Sequence, residues 1–421
     1  MGERKGSGSA QWLRTLRRNL AEIPADHWRF SGVEFLYWFA WAASGYLTVF
    51  LQSRGMSASE VGLIGALNSA VGIVAAPFWG MVSDRLRSVR KVLLLVIALS
   101  GLTWSLTPLT ADVPVFGLSL GLIVIPFGSF FRVPTGSLVD SWVVQNANRQ
   151  RFNYGSIRLW GSIGYAVMNM SLSAMMPWLG VENTFYIFGV SVLPLLGLCY
   201  WIKDDAVKLK TLSLRQMQVG RLFREYYFVF YLLFSVMLNM PVNTIFTFLP
   251  YLMEETQVST DLFGVIMGYK ALLEIPVLLL MARLRRRYSL PKLMLAAAGL
   301  YVVECLCYSF INGLWPLLAV QTLHGLAGGM FIGCSSNYVY SLAPDHLKAT
   351  AQTLAGSVSS LADIIGNLLG GYLLDAMGVR SFYTVCGGLI LGAALFFLAS
   401  FALGARLSGR PSPLHAKGPA A

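Results

Sequence analysis

Charge is scarce in this chain. Asp, Glu, Lys and Arg together make up 12% of its 421 residues, against 56% hydrophobic; soluble domains carry about 25% charged residues. That deficit argues against a soluble multi-domain protein. Cysteine and histidine are also sparse. Cys199, Cys305, Cys307, Cys334 and Cys386 all fall in apolar runs, and the four histidines are dispersed, so neither a disulfide framework nor a metal centre is expected. The cysteines read as small packing residues. No phosphate loop of the Walker type, no HExxH and no GxSxG occurs, which disfavours ATP-driven chemistry and hydrolysis. The protein is expected not to be an enzyme and to need no cofactor. The first 28 residues lack the apolar core of a cleavable signal peptide.

What the chain has instead is apolar length. Mean hydropathy is +0.61, and stretches of about 20 apolar residues, the length that spans a bilayer as a helix, recur throughout. Twelve spans are predicted: 30–52, 60–82, 91–109, 114–144, 154–178, 183–202, 226–252, 262–282, 292–311, 315–341, 350–374 and 381–404. Among lysines and arginines, only Arg54 and Arg380 fall in the odd-to-even loops, and Arg132, Arg158 and Lys270 lie within spans. The rest cluster in the tails and the even-to-odd loops, which places both termini in the cytoplasm. The same bias accounts for the net charge of +12 without a nucleic-acid partner. In QWLRTLRRNL (11–20), Trp12, Leu13, Leu16 and Leu20 share one helical side. That segment reads equally as a helix on the inner leaflet or as a solvated basic tail.

Two halves resemble one another. The polar segment 203–225 separates an N-terminal six-helix half (1–202) from a C-terminal one (226–421). MSASEVGLIG (56–65) and VSTDLFGVIMG (258–268) share Ser57/Ser259, Glu60/Asp261 and Gly62/Gly264, while GSIR (155–158) and GSVS (356–359) open the fifth and eleventh spans at a similar offset. A parallel six-span repeat is the arrangement of major facilitator transporters, whose substrate site lies between the halves near the midplane. The loop GMVSDRLRSVRK (80–91) resembles the loop signature of that superfamily at Gly80, Asp84 and Arg85. Gly80 would permit close helix approach, and Asp84 at a helix end would bind basic groups across the half. The loop departs from the pattern at Arg87, where glycine is usual, and its closing pair Arg90–Lys91 comes one residue late. A plain positive-inside loop is the competing reading.

The ionisable groups inside the spans carry the functional argument. The acids are Glu34, Asp140, Glu274, Glu304 and Asp363; the bases are Arg132, Arg158 and Lys270, with His324 as a further titratable group. Each charge near the bilayer centre costs about 2.5–3.5 kcal/mol on insertion scales. Acids outnumber bases, so some carboxyls are expected to be neutral for part of the time, the minimum equipment for coupling solute movement to protons. Asp140 and Arg158, on adjacent spans, suggest an opposite-charge pair. Lys270 and Glu274 stand four apart and read either as a structural ion pair or as cavity groups. Glu34 reads as reaching the headgroups or as a site residue, Arg132 before Pro134 as capping a kink, and Asp363 with Asn367 one turn on as an interhelical hydrogen-bonding pair. Glu304, with no local partner in YVVECLCYSF, is the expected proton carrier, and His324 among small residues marks a close helix crossing or cavity.

At these residues the chain resembles the lactose-permease-like and phenylpropionate-permease-like symporter branch of the major facilitator superfamily. In lactose permease a carboxylate on the fourth helix and an arginine on the fifth bind sugar hydroxyls; Asp140 and Arg158 match those positions, and Tyr165 stands where that family has a ring-stacking tryptophan. Thr322–His324 matches the substrate-linked histidine, but Gln321 and Ala327 replace the neighbouring lysine and carboxylate. Glu304 replaces an arginine and Glu274 an asparagine, so that family's proton relay is not carried over. The runs QTLHG, EIP (Glu274–Pro276) and RLWGSIGY look closer to phenylpropionate-type permeases. The resemblance implies an all-α membrane protein with twelve transmembrane helices in two six-helix repeats. Expected is proton-coupled uptake of a sugar-like or aromatic-acid solute by a monomer in a bacterial inner membrane, powered by the proton gradient. Substrate would meet Asp140, Arg158, Tyr165, Glu274 and His324; protons would use Glu304, Glu274, His324 and Lys270. A proton-driven efflux antiporter and a non-transporting receptor or scaffold are the alternatives.

Overall fold

The computed structural model describes residues 24–111, 113–115, 118–150, 154–202, 219–344, 347–407 and 412–414. The basic segment 11–20 and residues 203–218 of the connection lie outside the described residues. Among the described residues, twelve long helices follow in chain order: α1 Ala25–Ser44, α2 Ala58–Leu86, α3 Val89–Ser105, α4 Gly121–Gln150, α5 Tyr154–Leu179, α6 Asn183–Trp201, α7 Tyr226–Thr247, α8 Phe263–Arg287, α9 Leu290–Tyr308, α10 Leu314–Leu342, α11 Lys348–Met377 and α12 Val379–Leu407. Nine candidate spans among them are long and apolar enough to cross a membrane by length and composition; α1, α3 and α5 pack among these.

Two predicted spans are broken in equivalent places. α1 stops at Ser44, turns through Gly45 and resumes as Leu47–Ser53; α7 stops at Thr247, turns at Phe248 and resumes as Leu249–Glu255. The fourth helix starts at Gly121 rather than near 114. Residues 114–115 and 118–119 pair instead as a two-residue antiparallel ladder, Pro114 with Ser119 and Val115 with Leu118. Ser119 Oγ accepts the Gly121 N–H and donates to the Ala111 carbonyl, satisfying backbone groups that a continued helix would have used.

The packing repeats. Within the first six helices the main neighbours are α1–α5, α1–α6, α2–α4, α3–α4 and α3–α6. Adding six to each number yields α7–α11, α7–α12, α8–α10, α9–α10 and α9–α12, all of which also pack. The two sets meet through α2–α11 and α5–α8, contacts that exchange under the same two-fold relation.

These meetings use small residues and helix ends. A Cβ on Gly62 would collide with the Asn367 carbonyl and one on Gly371 with that of Ala58; a Cβ on Gly264 would collide with the Asn169 carbonyl and the Tyr46 hydroxyl. Backbones can approach this closely only where no side chain intervenes. Beside them, Ser173 Oγ accepts the Val265 N–H at 2.9 Å, Tyr251 Oη donates to the Met56 carbonyl at 2.9 Å, and the Gln52 amide donates to Glu254 at 2.5 Å. Asp375, at the end of α11, accepts the N–H groups of Ala58 and Ser59 at 3.1 and 2.8 Å. All these contacts lie at the end of the bundle that carries the 45–57 and 248–262 connections.

Candidate solute cavity

Two adjoining cavities of about 570 and 320 Å³ share Phe246, Lys270, Glu274 and Ile332 in their walls; the smaller is lined from both halves and the larger by the second half. The smaller part is walled by Trp38 and Trp41 of α1, Arg158 and Tyr165 of α5, and Phe246 of α7. The larger runs past His324 and Tyr301 to Ser336 near the end of α10 and Gln352 near the start of α11. Those last residues belong to the end opposite the contacts between the halves, so the space is closed at one end and reaches toward the other.

The first half brings Glu34, Trp38, Asp140, Tyr154 and Arg158 together. Close packing of α1 on α5 requires Gly161 and Gly164: a Cβ on Gly164 would strike the Phe35 carbonyl, and one on Gly161 would crowd Trp38 and the Arg158 guanidinium. The guanidinium lies 4.3 Å from the Trp38 ring centroid, a cation–π arrangement. Tyr165 meets the same indole edge-on at 6.3 Å. Asp140 accepts the Tyr154 hydroxyl at 3.1 Å. The expected direct ion pair between Asp140 and Arg158 does not form among the described residues. The planar cation of Arg158 is held on the indole face instead.

Glu34 corrects the headgroup reading. It is 0% exposed; Oε2 accepts the Trp38 indole N–H at 3.1 Å, and Oε1 is buried without a partner. Spacing held the clue, since Glu34 and Trp38 are one turn apart, but position near the predicted start of a span pointed the other way. Arg132 is also corrected. α4 runs on through Pro126 and Pro134. The Arg132 guanidinium lies between Trp41 and Trp104, at 4.6 and 4.3 Å from their centroids, and donates to Ser44 Oγ at 3.1 Å. It therefore buttresses the break in α1 rather than a kink in α4.

In the second half Glu304 has partners that its own segment partly concealed. Its Oε1 accepts the Tyr308 hydroxyl at 2.7 Å and shares a 2.8 Å hydrogen bond with His324 Nδ1. The Gln321 amide donates to Tyr308 Oη at 3.0 Å, and Tyr301 meets the His324 ring edge-on at 5.3 Å. The carboxyl is 0% exposed and His324 6%, so this is a buried network on α9 and α10 that reaches the cavity at His324 and Tyr301. Tyr308, one turn from Glu304, is a partner that the sequence reading missed.

Lys270 and Glu274 both line the shared part of the cavity, yet no ion pair joins them among the described residues. Lys270 Nζ sits 4.2 Å from the Phe246 ring centroid, and Glu274 extends toward Gly328 of α10. Asp363 accepts from the Asn243 amide of α7, an interhelical hydrogen bond of the kind expected there, while Asn367 faces Gly65 of α2. The loop residues Asp84 and Arg85 are exposed. A Cβ on Gly80 would meet nothing within 4 Å, so the close approach expected there is not made in this arrangement. Arg87 adopts φ of 50° as the cap of α2, occupying the left-handed position that a glycine would favour. Arg90 donates to the Cys199 and Tyr200 carbonyls at the end of α6, at 2.8 and 2.5 Å.

Comparison with known proteins agrees with this fold. The chain is similar to the maltose permease of Geobacillus stearothermophilus, 26% identical over 370 residues, which cover 85% of this chain and 91% of that protein. It is similar also to sugar efflux transporter A of Dickeya chrysanthemi, 25% identical over 344 residues, covering 80% and 85%. Among solved structures, the nucleoside transporter NupG superposes with a TM-score of 0.75 at 15% identity, covering 90% of this chain and 99% of that one, a likeness of fold. The model of the MFS_1 like family matches residues 27–385. The chain therefore belongs to the MFS_1 like family, as a multi-pass membrane transporter of the major facilitator superfamily and not an enzyme.

Proposed function

We propose that this protein takes up a small polar organic solute, sugar-like or an aromatic acid, together with protons across a bacterial inner membrane. The observation that carries the reading is the central cavity itself. It is walled from both halves by aromatic faces and by ionisable side chains, and it is sealed at one end of the bundle. Such a site can be exposed to either side by rocking the halves about the α2–α11 and α5–α8 contacts. With both termini in the cytoplasm, the described arrangement opens inward.

Trp38 and Tyr165 offer aromatic faces to a sugar C–H surface or an aromatic ring, and Arg158 and Lys270 present hydrogen-bond donors to oxygens. Glu274 accepts from hydroxyls. On the proton side, Glu304 and His324 form a buried acid–imidazole pair sharing one hydrogen bond, with Tyr308 donating to the carboxyl and Gln321 to Tyr308. No cofactor is required, because the proton gradient supplies the energy. A monomer suffices, since both walls of the cavity come from one chain.

The test uses purified protein in vesicles under an imposed inward-acid gradient, with maltose, a nucleoside and an aromatic acid as labelled probes. Accumulation of at least one that collapses with a protonophore is expected. Binding without flux sinks the transport reading. Gradient-driven extrusion establishes instead the export reading, which the similarity to sugar efflux transporter A favours.

A further inference from the structure

Glu34 is buried beside the solute cavity without belonging to its wall. Its neighbours are the Trp38 indole, which donates to Oε2, and the charges of Arg158 and Asp140. The other titratable groups nearby are Tyr37 on its own helix and Tyr154 on α5. Its Oε1 is sealed from water and from donors. An ionised carboxylate with one oxygen in that state is strongly disfavoured, because a charge in a low-dielectric interior needs donors on its lone pairs. A neutral carboxyl group tolerates the same place far better.

The cation able to change that balance is Arg158. Its guanidinium rests on the face of Trp38, the ring whose N–H binds Glu34, and it makes no ion pair with either nearby carboxyl among the described residues. We propose that Glu34 is a proton-binding site of the first six helices, coupled to solute through Arg158. While Arg158 lies on Trp38 and holds solute in the cavity, Glu34 keeps its proton. When the guanidinium leaves the Trp38 face and turns toward Glu34, it opens Oε1 to cavity water; the O–H bond there breaks, the electron pair stays on the carboxylate, and that water takes the proton. Asp140 competes for the same guanidinium and sets how readily it turns. Solute on Arg158 and proton on Glu34 therefore favour one another, and by linkage each raises the affinity for the other equally. The site is separate from the Glu304–His324 pair, which lies on α9 and α10.

The solute half of this inference rests on the proposed function; the proton half does not, and it is tested first without any solute. Infrared difference spectra of the full-length protein, between acidic and alkaline buffer, report protonated carboxyl groups by their C=O band. The Glu34→Gln variant is expected to lose one component of that band, which Glu304→Gln retains and Glu34→Asp restores. A Glu34→Gln spectrum identical to that of the starting protein overturns the proposal. Thermal unfolding of each variant checks that the fold persists, and the Asp variant decides the matter if the Gln variant unfolds. In vesicles with maltose as probe, Glu34→Gln is expected to retain exchange, to bind with an affinity less dependent on pH, and to accumulate less under the gradient. Unchanged accumulation overturns the coupling. If the starting protein does not move maltose, that result counts against a maltose-like solute alone, and the infrared spectra still decide for or against the proton site.

Discussion

Replacing Asp375 should unlatch the closed end of the bundle, and the size of the effect follows from the first turn of α2. Four N–H groups open a helix without partners inside it. At α2 all four are met: Ser57 N–H by the Glu60 carboxylate, Glu60 N–H by Ser57 Oγ, and Ala58 and Ser59 N–H by Asp375 of the other half. Asp375 thus acts as a capping anion supplied across the interface. Loss of a capping oxygen costs about 1 kcal/mol, and loss of a negative charge at a helix N-terminus adds roughly 0.3–1 kcal/mol at an exposed site. Both are net values measured in water, so together roughly 1.3–2 kcal/mol is expected for Asp375→Ala. Because the contact exists only while this end is closed, that energy appears as a shift of about ten- to thirtyfold in the population of closed over open forms. Asp375→Asn, which keeps an acceptor but not the charge, should fall between. Spin labels at the exposed positions Trp178 and Phe310, at this end of the two halves, measure the change as a new long-distance population. An unchanged distance distribution in Asp375→Ala would show that this cap does not hold the end shut.

Other consequences are equally concrete. Gly264→Leu should abolish transport without preventing membrane insertion, because the side chain collides with Asn169 and Tyr46 when α5 and α8 close; flux in vesicles and folded yield check the two parts separately. Arg87→Gly should stabilise the protein by about 1 kcal/mol by relieving the left-handed backbone, read as a rise in unfolding temperature with transport unaltered. Glu304→Gln should remove proton-driven accumulation and flatten its pH dependence while leaving solute exchange, measured with whichever probe is transported. Arg132→Ala should lower stability by about 2 kcal/mol through loss of two desolvated cation–π contacts, seen in thermal unfolding rather than in solute specificity.

Helix number and the charged residues within them were readable because a bilayer makes each polar residue in an apolar run conspicuous. The repeat was readable at Gly62 and Gly264, and both glycines sit where the halves meet. What misled was the local environment. Glu34 looked peripheral because span ends were judged from hydropathy, whereas packing of α1 on α5 buries it completely. Glu304 looked isolated because its partner His324 is twenty residues away on another helix. Lys270 and Glu274 had the spacing of an ion pair, but the ring of Phe246 on α7 holds the ammonium, an alternative that no spacing rule on one helix contains. The helices are apolar nearly all round, so no stripe in the sequence told which face lines the cavity.

Composition and periodicity alone therefore determine that this chain spans a membrane as two related sets of helices and carries ionisable groups inside it. That follows from the cost of charge in hydrocarbon, a property of each residue. Which charges meet, which rest on aromatic rings, and which end of the bundle is shut were decided by tertiary structure. Those outcomes depend on contacts among α1, α5, α8, α10 and α11, where a glycine's missing side chain or a carboxylate at a helix end sets distances that no local stretch of sequence encodes.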